Sequence, residues 1–142
     1  MDWEAAFLND RYADLAVVAN FVVTNESEEK DYLKRYFGKE VNEYHYARFF
    51  LMRQVFHMSY FIFFMLLCSA AGVPIDLNLT KPDFRTFHDR IWAGEVNLAN
   101  HDVRQQYALV HLEQLQHNLQ LKQFDDSLHI VSNYQEPLNT NL

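Results

Sequence analysis

Apolar and polar residues alternate along this chain with the spacing of amphipathic helices. The first apolar stripe follows the i, i+3, i+4, i+7 rule and consists of Tyr12, Leu15, Ala16, Ala19, Val22 and Val23. This stripe predicts a helix that begins at Asn9 or Asp10 and ends near Val23, because residues at these intervals share one helix face.

The next two helices are predicted from their end signals. Asn25 and Glu28 have the spacing of an N-terminal cap pair, and Gly38 is placed to end the helix that they begin. The longest helix is predicted over residues 42–71, where Gly72 and a following proline stop it.

Two further amphipathic helices and a short one are predicted in the C-terminal half. One begins between Thr80 and Asp83, with Pro82 between them, and stops at Gly94. The next begins at Asn100, and its apolar stripe consists of Ala108, Leu112, Leu115 and Leu119. A short helix is predicted over residues 127–131.

These elements predict an all-α fold of five or six helices around a long apolar central helix. We expect residues 1–132 to form one helical domain and residues 133–142 to form a polar tail. The composition agrees with an all-α fold, because the 142 residues include twelve Phe and eight Tyr but only three Gly and three Pro. Few chain-breaking residues favour helices over a turn-rich β architecture.

The run over residues 55–71 is apolar enough to raise the question of a membrane. A spanning helix needs roughly 20 apolar residues, and this run approaches that length only by including His57, Ser59 and Ser69. It also lacks a basic cluster at either end. We therefore expect a buried core helix, while a membrane-associated protein built around this run is the alternative.

The net charge and the cysteine content limit which partners and which cellular location we expect. The net charge of −7 makes nucleic acid an unexpected partner, since binding phosphates requires a surplus of Lys and Arg on one face. Cys68 is the single cysteine and cannot form an internal disulfide. A reducing, cytoplasmic location is therefore the expectation.

Residues 2–16 contain a dense acidic cluster with a distinctive spacing. Its residues are Asp2, Trp3, Glu4, Asn9, Asp10, Asp14, Leu15 and Ala16. The segment resembles the aminoglycoside phosphotransferase and choline kinase superfamily, in which a "(I/L)-D-(W/F)-E … N-D … D-(L/I)-A" segment follows the catalytic loop. The resemblance implies the helical C-lobe subdomain of a protein-kinase-like fold, within a longer small-molecule kinase whose catalytic machinery precedes Met1.

The resemblance also assigns roles to three carboxylates. Asp2 matches the family's ligand to the Mg²⁺ that bridges the nucleotide phosphates, and Glu4 matches an acidic position beside that metal. Phosphoryl transfer requires such hard oxygen ligands, because the metal neutralises charge on the transferred group. Asp14 matches the residue that anchors the catalytic loop through its backbone N–H groups. Mg²⁺ and ATP are thus implied for the parent protein.

The chain itself lacks the other parts of such an enzyme. Gly38, Gly72 and Gly94 are isolated, so no glycine-rich phosphate loop is present, and no H-x-D-x-x-x-x-N catalytic loop occurs. The seven histidines likewise form no recognisable metal-binding motif. We therefore expect the chain alone to be inactive and to bind no cofactor, although its parent would phosphorylate a hydroxyl group.

The acceptor site of these kinases lies largely in the helical part. In choline kinases, rings on the long helix form a cage around a quaternary ammonium through cation–π attraction. The candidates here by position are Tyr46, His57, Tyr60, Phe63 and Phe64. An aromatic stripe at helical spacing is more often core. Departures from the choline kinase pattern leave ethanolamine, thiamine, an amino sugar or another small alcohol open.

Two other classes of function stay open beside the kinase. The chain can be a stand-alone helical interaction module without catalytic activity, or the membrane-associated protein described above. Beyond a small-molecule alcohol, we expect the partner to be a second copy of the chain, held through the surface left by the missing lobe. We expect neither nucleic acid nor a membrane as a partner.

Overall fold

Residues 10–38 and 41–135 are described by the computed structural model, and within these ranges the chain contains six helices and no strand. The helices are α1 (Arg11–Val22), α2 (Glu26–Phe37), α3 (Glu43–Ala70), α4 (Phe84–Trp92), α5 (His101–Leu119) and α6 (Lys122–Ser132). The predicted all-α architecture around one long apolar helix is confirmed.

Most helix ends lie where the sequence signals placed them. Polar side chains accept a backbone N–H bond at the start of five of the six described helices, and these caps are Asp10, Asn25, Asn42, Asp83 and Asn100. Gly38 and Gly72 follow α2 and α3 with φ of 68° and 69°, in the left-handed region that favours glycine. Local capping chemistry therefore determines these boundaries.

Helix α3 is the centre of the fold and packs against α1, α5 and α6. Around its N-terminal half lies one core group, made of Tyr12, Leu15, Ala16, Ala19, Val23, Leu33 and Phe49. Around its C-terminal half lies another, made of Phe64, Phe87, Tyr107, Ala108 and Val110. Both core groups pack against the same side of α3, so the opposite side of this helix is exposed to solvent.

The expectation that the apolar run of α3 is buried on all sides is wrong. Its exposed large apolar side chains are Val55, Met58, Ile62, Phe63 and Leu66, with exposed fractions from 42% to 62%. At 100° per residue, Val55, Met58, Ile62 and Leu66 lie on the face opposite that of Phe49 and Phe64, and Phe63 lies at the edge of that face. By length and composition α3 could cross a membrane, and 17% of its most apolar 18-residue window is buried.

Smaller differences from the sequence predictions have local causes. Val22 and Leu119 belong to predicted apolar stripes but are 48% and 44% exposed, because each occupies the last turn of its helix. Helix α6 begins five residues before the predicted start, and its N-cap Leu121 makes no side-chain capping bond. Tyr134, assigned to the polar tail, stacks on Tyr44 with ring centroids 3.7 Å apart.

Candidate functional site

A cleft of about 490 Å³ opens beside the N-terminal half of α3, between α2 and the region where α5 meets α6. Its aromatic lining includes Tyr46 and Phe50. The polar lining includes Glu29, Arg53, Gln54, Gln114 and Asn118. A concave site of this size with a few convergent polar groups is typical of small-molecule binding sites.

A partly buried ion pair lines one side of the cleft. Arg53 Nη1 lies 2.9 Å from Glu29 Oε2, and the two side chains are only 18% and 16% exposed. Arg53 Nε also donates to Asn20 Oδ1 over 3.3 Å. Burial raises the pKa of Glu29 and lowers that of Arg53, although each charge favours the ionised form of the other. Ionisable residues whose pKa values are shifted by burial and by a neighbouring charge are frequent at functional sites.

The floor of the cleft carries a chain of hydrogen-bonded amides. Gln114 Nε2 donates to Asn118 Oδ1 over 2.9 Å, and Asn118 Nδ2 donates to Gln54 Oε1 over 2.9 Å. Gln54 Nε2 in turn donates to the backbone oxygen of Phe50 over 2.7 Å. These bonds orient the amides, so the cleft presents donors and acceptors in defined positions.

Of the five substrate candidates from the sequence, Tyr46 lines this cleft. His57, Tyr60 and Phe64 instead meet in a closed cluster between α3, α4 and α5. The Nδ1 atoms of His57 and His111 are 3.0 Å apart, and the Tyr60 ring stacks on His111 with centroids 4.7 Å apart. Phe64 packs against Tyr107 at 5.0 Å. These rings pack on one another between the helices.

Three histidine side chains, those of His57, His88 and His111, are fully buried in this cluster. His88 Nδ1 donates to the backbone oxygen of Phe84 over 2.8 Å, so its Nε2 accepts from the Tyr107 hydroxyl at 3.2 Å. Burial lowers the pKa of His57 to about 3 and that of His111 to about 2, which keeps both rings neutral at physiological pH. Among the described residues, no three or more His, Cys, Asp or Glu side chains are grouped to hold a metal.

The other predicted site residues lie apart from the cleft. Phe63 is 55% exposed on the opposite face of α3, and Asp14 is exposed on α1. An exposed Asp14 is compatible with an anchoring role toward a loop outside this chain, which stays a prediction. Asp2 and Glu4, the predicted metal ligands, lie outside the described residues.

Sequence reasoning missed the ion pair and the amides. The sequence does contain one indication of this site. Arg53 is the last charged residue of α3 before an uncharged run over residues 54–70. It falls three residues after the buried Phe50, on the face toward the core. A charge on that face requires a partner, and such a residue marks a candidate polar site.

Comparison of the chain with known protein families, with curated proteins and with solved structures finds no match. A function for this chain must therefore be argued from its own geometry and from the motif over residues 2–16. The cleft combines a charge pair, aligned amides and aromatic walls, which together suit a small polar molecule.

Proposed function

We propose that this chain is the helical, substrate-binding part of an ATP-dependent phosphotransferase that acts on a hydroxyl group of a small molecule. The cleft beside α3 would hold the acceptor. The observation that carries this proposal is the pairing of Glu29 with Arg53 beside the aligned amides of an open cleft. The resemblance of residues 2–16 to small-molecule kinases supplies the reaction class.

The cleft lining favours an amino sugar as the acceptor. Side-chain amides offer a donor and an acceptor together, which matches hydroxyl groups, and the carboxylate of Glu29 suits an ammonium group. The ring of Tyr46 on the wall can pack against the apolar face of a sugar. A quaternary ammonium such as choline would require a cage of open rings, whereas Tyr60 and Phe64 pack inside the cluster.

The cofactors of the reaction belong to the parent protein. Asp2 and Glu4 would provide carboxylate oxygens for Mg²⁺, whose charge would bind and orient the phosphates of ATP. The chain's own contribution is to bind and orient the acceptor. Without a glycine-rich loop or a catalytic loop, we expect the chain alone to transfer no phosphate. An enzyme that consumes ATP in this way would act in the cytoplasm.

Calorimetric titration with neamine, a small amino sugar, tests acceptor binding by the chain. We expect Glu29→Gln to weaken binding at least tenfold, because a charge-assisted hydrogen bond contributes about 1.5–3 kcal/mol. Asp31→Asn is the matched control, since it removes the same charge from an exposed position on α2 outside the cleft. Equal binding by both variants, or no binding by the wild type, would contradict the proposed site.

The reaction class has its own test in the coding DNA upstream of the Met1 codon. An in-frame H-x-D-x-x-x-x-N shortly before that codon, preceded by a glycine-rich loop and a lysine, is the expected result. A stop codon directly upstream would contradict the kinase proposal. The chain would then act by itself, and the alternative of a stand-alone interaction module would gain support from the exposed apolar face of α3.

A further inference from the structure

The exposed face of α3 carries an apolar surface that no described helix covers. We call it the α3 ridge, and it consists of Val55, Met58, Ser59, Ile62, Phe63 and Leu66. Every apolar member is between 42% and 62% exposed. Contiguous apolar patches on a soluble protein commonly mark a contact with a partner.

We propose that the α3 ridge binds a second copy of this chain through an antiparallel pairing of the two α3 helices about a two-fold axis. In a symmetric interface, the same surface must be complementary to itself. The ridge meets this condition about a midpoint between residues 60 and 61. The facing pairs along the seam are then Val55 with Leu66 and Ser59 with Ile62, while Met58 and Phe63 lie on opposite flanks of the seam, each on the same flank as its counterpart in the other chain.

Each facing pair joins a smaller side chain to a larger one. Ser59 leaves room for Ile62, and Met58 and Phe63 cover the two flanks of the seam. Along the ridge, residues 55, 59, 62 and 66 are separated by four, three and four positions, which is the spacing of a coiled-coil seam. A second α3 therefore offers a matching seam of the same length.

Charge favours a second copy over other occupants. Residues 54–70 contain no Asp, Glu, Lys or Arg, so two chains of net charge −7 can meet there without opposing charges. Between residues 49 and 80, Arg53 is the only lysine or arginine, and it is paired with Glu29. Residues 49–80 would thus offer an anionic lipid surface no lysine or arginine outside that ion pair.

The size of the ridge indicates a modest affinity. Its five large apolar side chains, each about half exposed, amount to roughly half of the ~800 Å² that each partner buries in a standard interface. We expect a dissociation constant on the order of micromolar.

This inference goes beyond the proposed function and does not depend on it. Phe50 and Arg53 line the acceptor cleft on the opposite side of α3 from the ridge. A chain that dimerises without binding neamine would contradict the proposed function alone. A monomer that binds neamine would contradict the dimer alone.

Sedimentation of the full chain tests the association. We expect the wild type to form a dimer of twice the 16.9 kDa chain mass, and Ile62→Glu to raise the dissociation constant at least 100-fold. Val18→Glu is the matched control, because Val18 is 48% exposed, like Ile62 at 47%, but lies on α1. Circular dichroism checks that each variant keeps its helices. A monomeric wild type well above micromolar concentration overturns the proposal, as does a dimer that Ile62→Glu leaves intact.

Cysteine cross-linking tests the register independently. With copper–phenanthroline and air as the oxidant, a mixture of Val55→Cys and Leu66→Cys chains should form a disulfide dimer quickly, since these positions face each other across the pair. Neither variant alone should do so, because like positions lie about 16 Å apart along the helix axis at 1.5 Å per residue. Cys68 is fully buried and does not compete. Cross-linking within either single variant at the rate of the mixture would contradict the proposed register. Binding of the monomeric chain to phosphatidylcholine vesicles would show that the ridge binds lipid and not a second copy of the chain.

Discussion

Acidification is expected to destabilise this protein through its buried histidines. Burial lowers the pKa of His57 to about 3 and that of His111 to about 2, and the charge of Arg53 adds to the lowering at His57. Burial also lowers the pKa of His88, which its bond to Phe84 partly opposes. In the unfolded chain each ring titrates near pH 6.5. Between these values the unfolded state binds more protons, so stability is full above pH 6.5 and falls as the pH falls toward 3.

The size of this loss follows from proton linkage. Each histidine whose folded pKa lies far below 6.5 costs about 1.4 kcal/mol of unfolding free energy per pH unit below that value. Between pH 7 and pH 5 the loss is about 2 kcal/mol per histidine, or about 4 kcal/mol for His57 and His111 together. Since small domains are stable by about 5–15 kcal/mol, this loss is a large share.

Urea unfolding followed by circular dichroism at pH 7, 6 and 5 measures the effect. His57→Gln removes one buried titrating ring, so its unfolding free energy should fall by about 2 kcal/mol less than that of the wild type over this interval. His117→Gln, at an exposed position on α5, is the matched control and should follow the wild type. Glu29 has the opposite effect on the unfolding free energy. Burial raises the pKa of its carboxyl group in the folded state, so the folded chain binds a proton there at a higher pH than the unfolded chain does and gains stability as the pH falls.

The reasoning would be refuted by either of two results. Unfolding free energy that is constant between pH 7 and pH 5 in Glu29→Gln, which lacks the opposing carboxylate, would show that the rings do not stay neutral in the folded state. An identical pH dependence of His57→Gln and the wild type would show that the loss arises elsewhere in the chain.

Three further predictions concern stability and use the same unfolding assay. Leu33→Ala removes a fully buried side chain and should cost about 2–5 kcal/mol; a loss below about 1 kcal/mol would place Leu33 outside a tight core. Asn42→Ala removes the capping box of α3 and should cost about 1 kcal/mol, whereas no loss would argue against the cap. Arg53→Met leaves Glu29 buried without its cation and should cost about 3 kcal/mol. Adding Glu29→Gln should restore part of that loss, and a purely additive double variant would contradict a coupled pair.

Helix boundaries could be predicted wherever their cause is local. Asn25, Asn42 and Asp83 each act within three residues of the backbone N–H that they bind, so the sequence alone contains the signal. Helix α6 was located only in part because Leu121 offers no capping side chain. Its start depends on packing against α3, which local sequence does not encode.

The candidate site could not be predicted to the same extent, because its parts come from separate helices. Glu29 lies on α2, Arg53 and Gln54 on α3, and Asn118 on α5. Periodicity indicates which face of a helix is apolar, but it does not identify the helix that will face it. For the same reason the uniformly apolar α3 pattern could not reveal that only one side is covered.

The most direct test of the central claim is the set of side-chain amide signals of the chain in a ¹⁵N-correlated NMR titration with neamine. Gln54, Gln114 and Asn118 form the hydrogen-bonded floor of the cleft, so an acceptor there must alter their signals. We predict saturable shifts of these three amides, and no shift of the exposed Asn78 amide as an internal reference. Shifts confined to the backbone amides of His57 and Tyr60, or no saturable shift at all, would contradict the account.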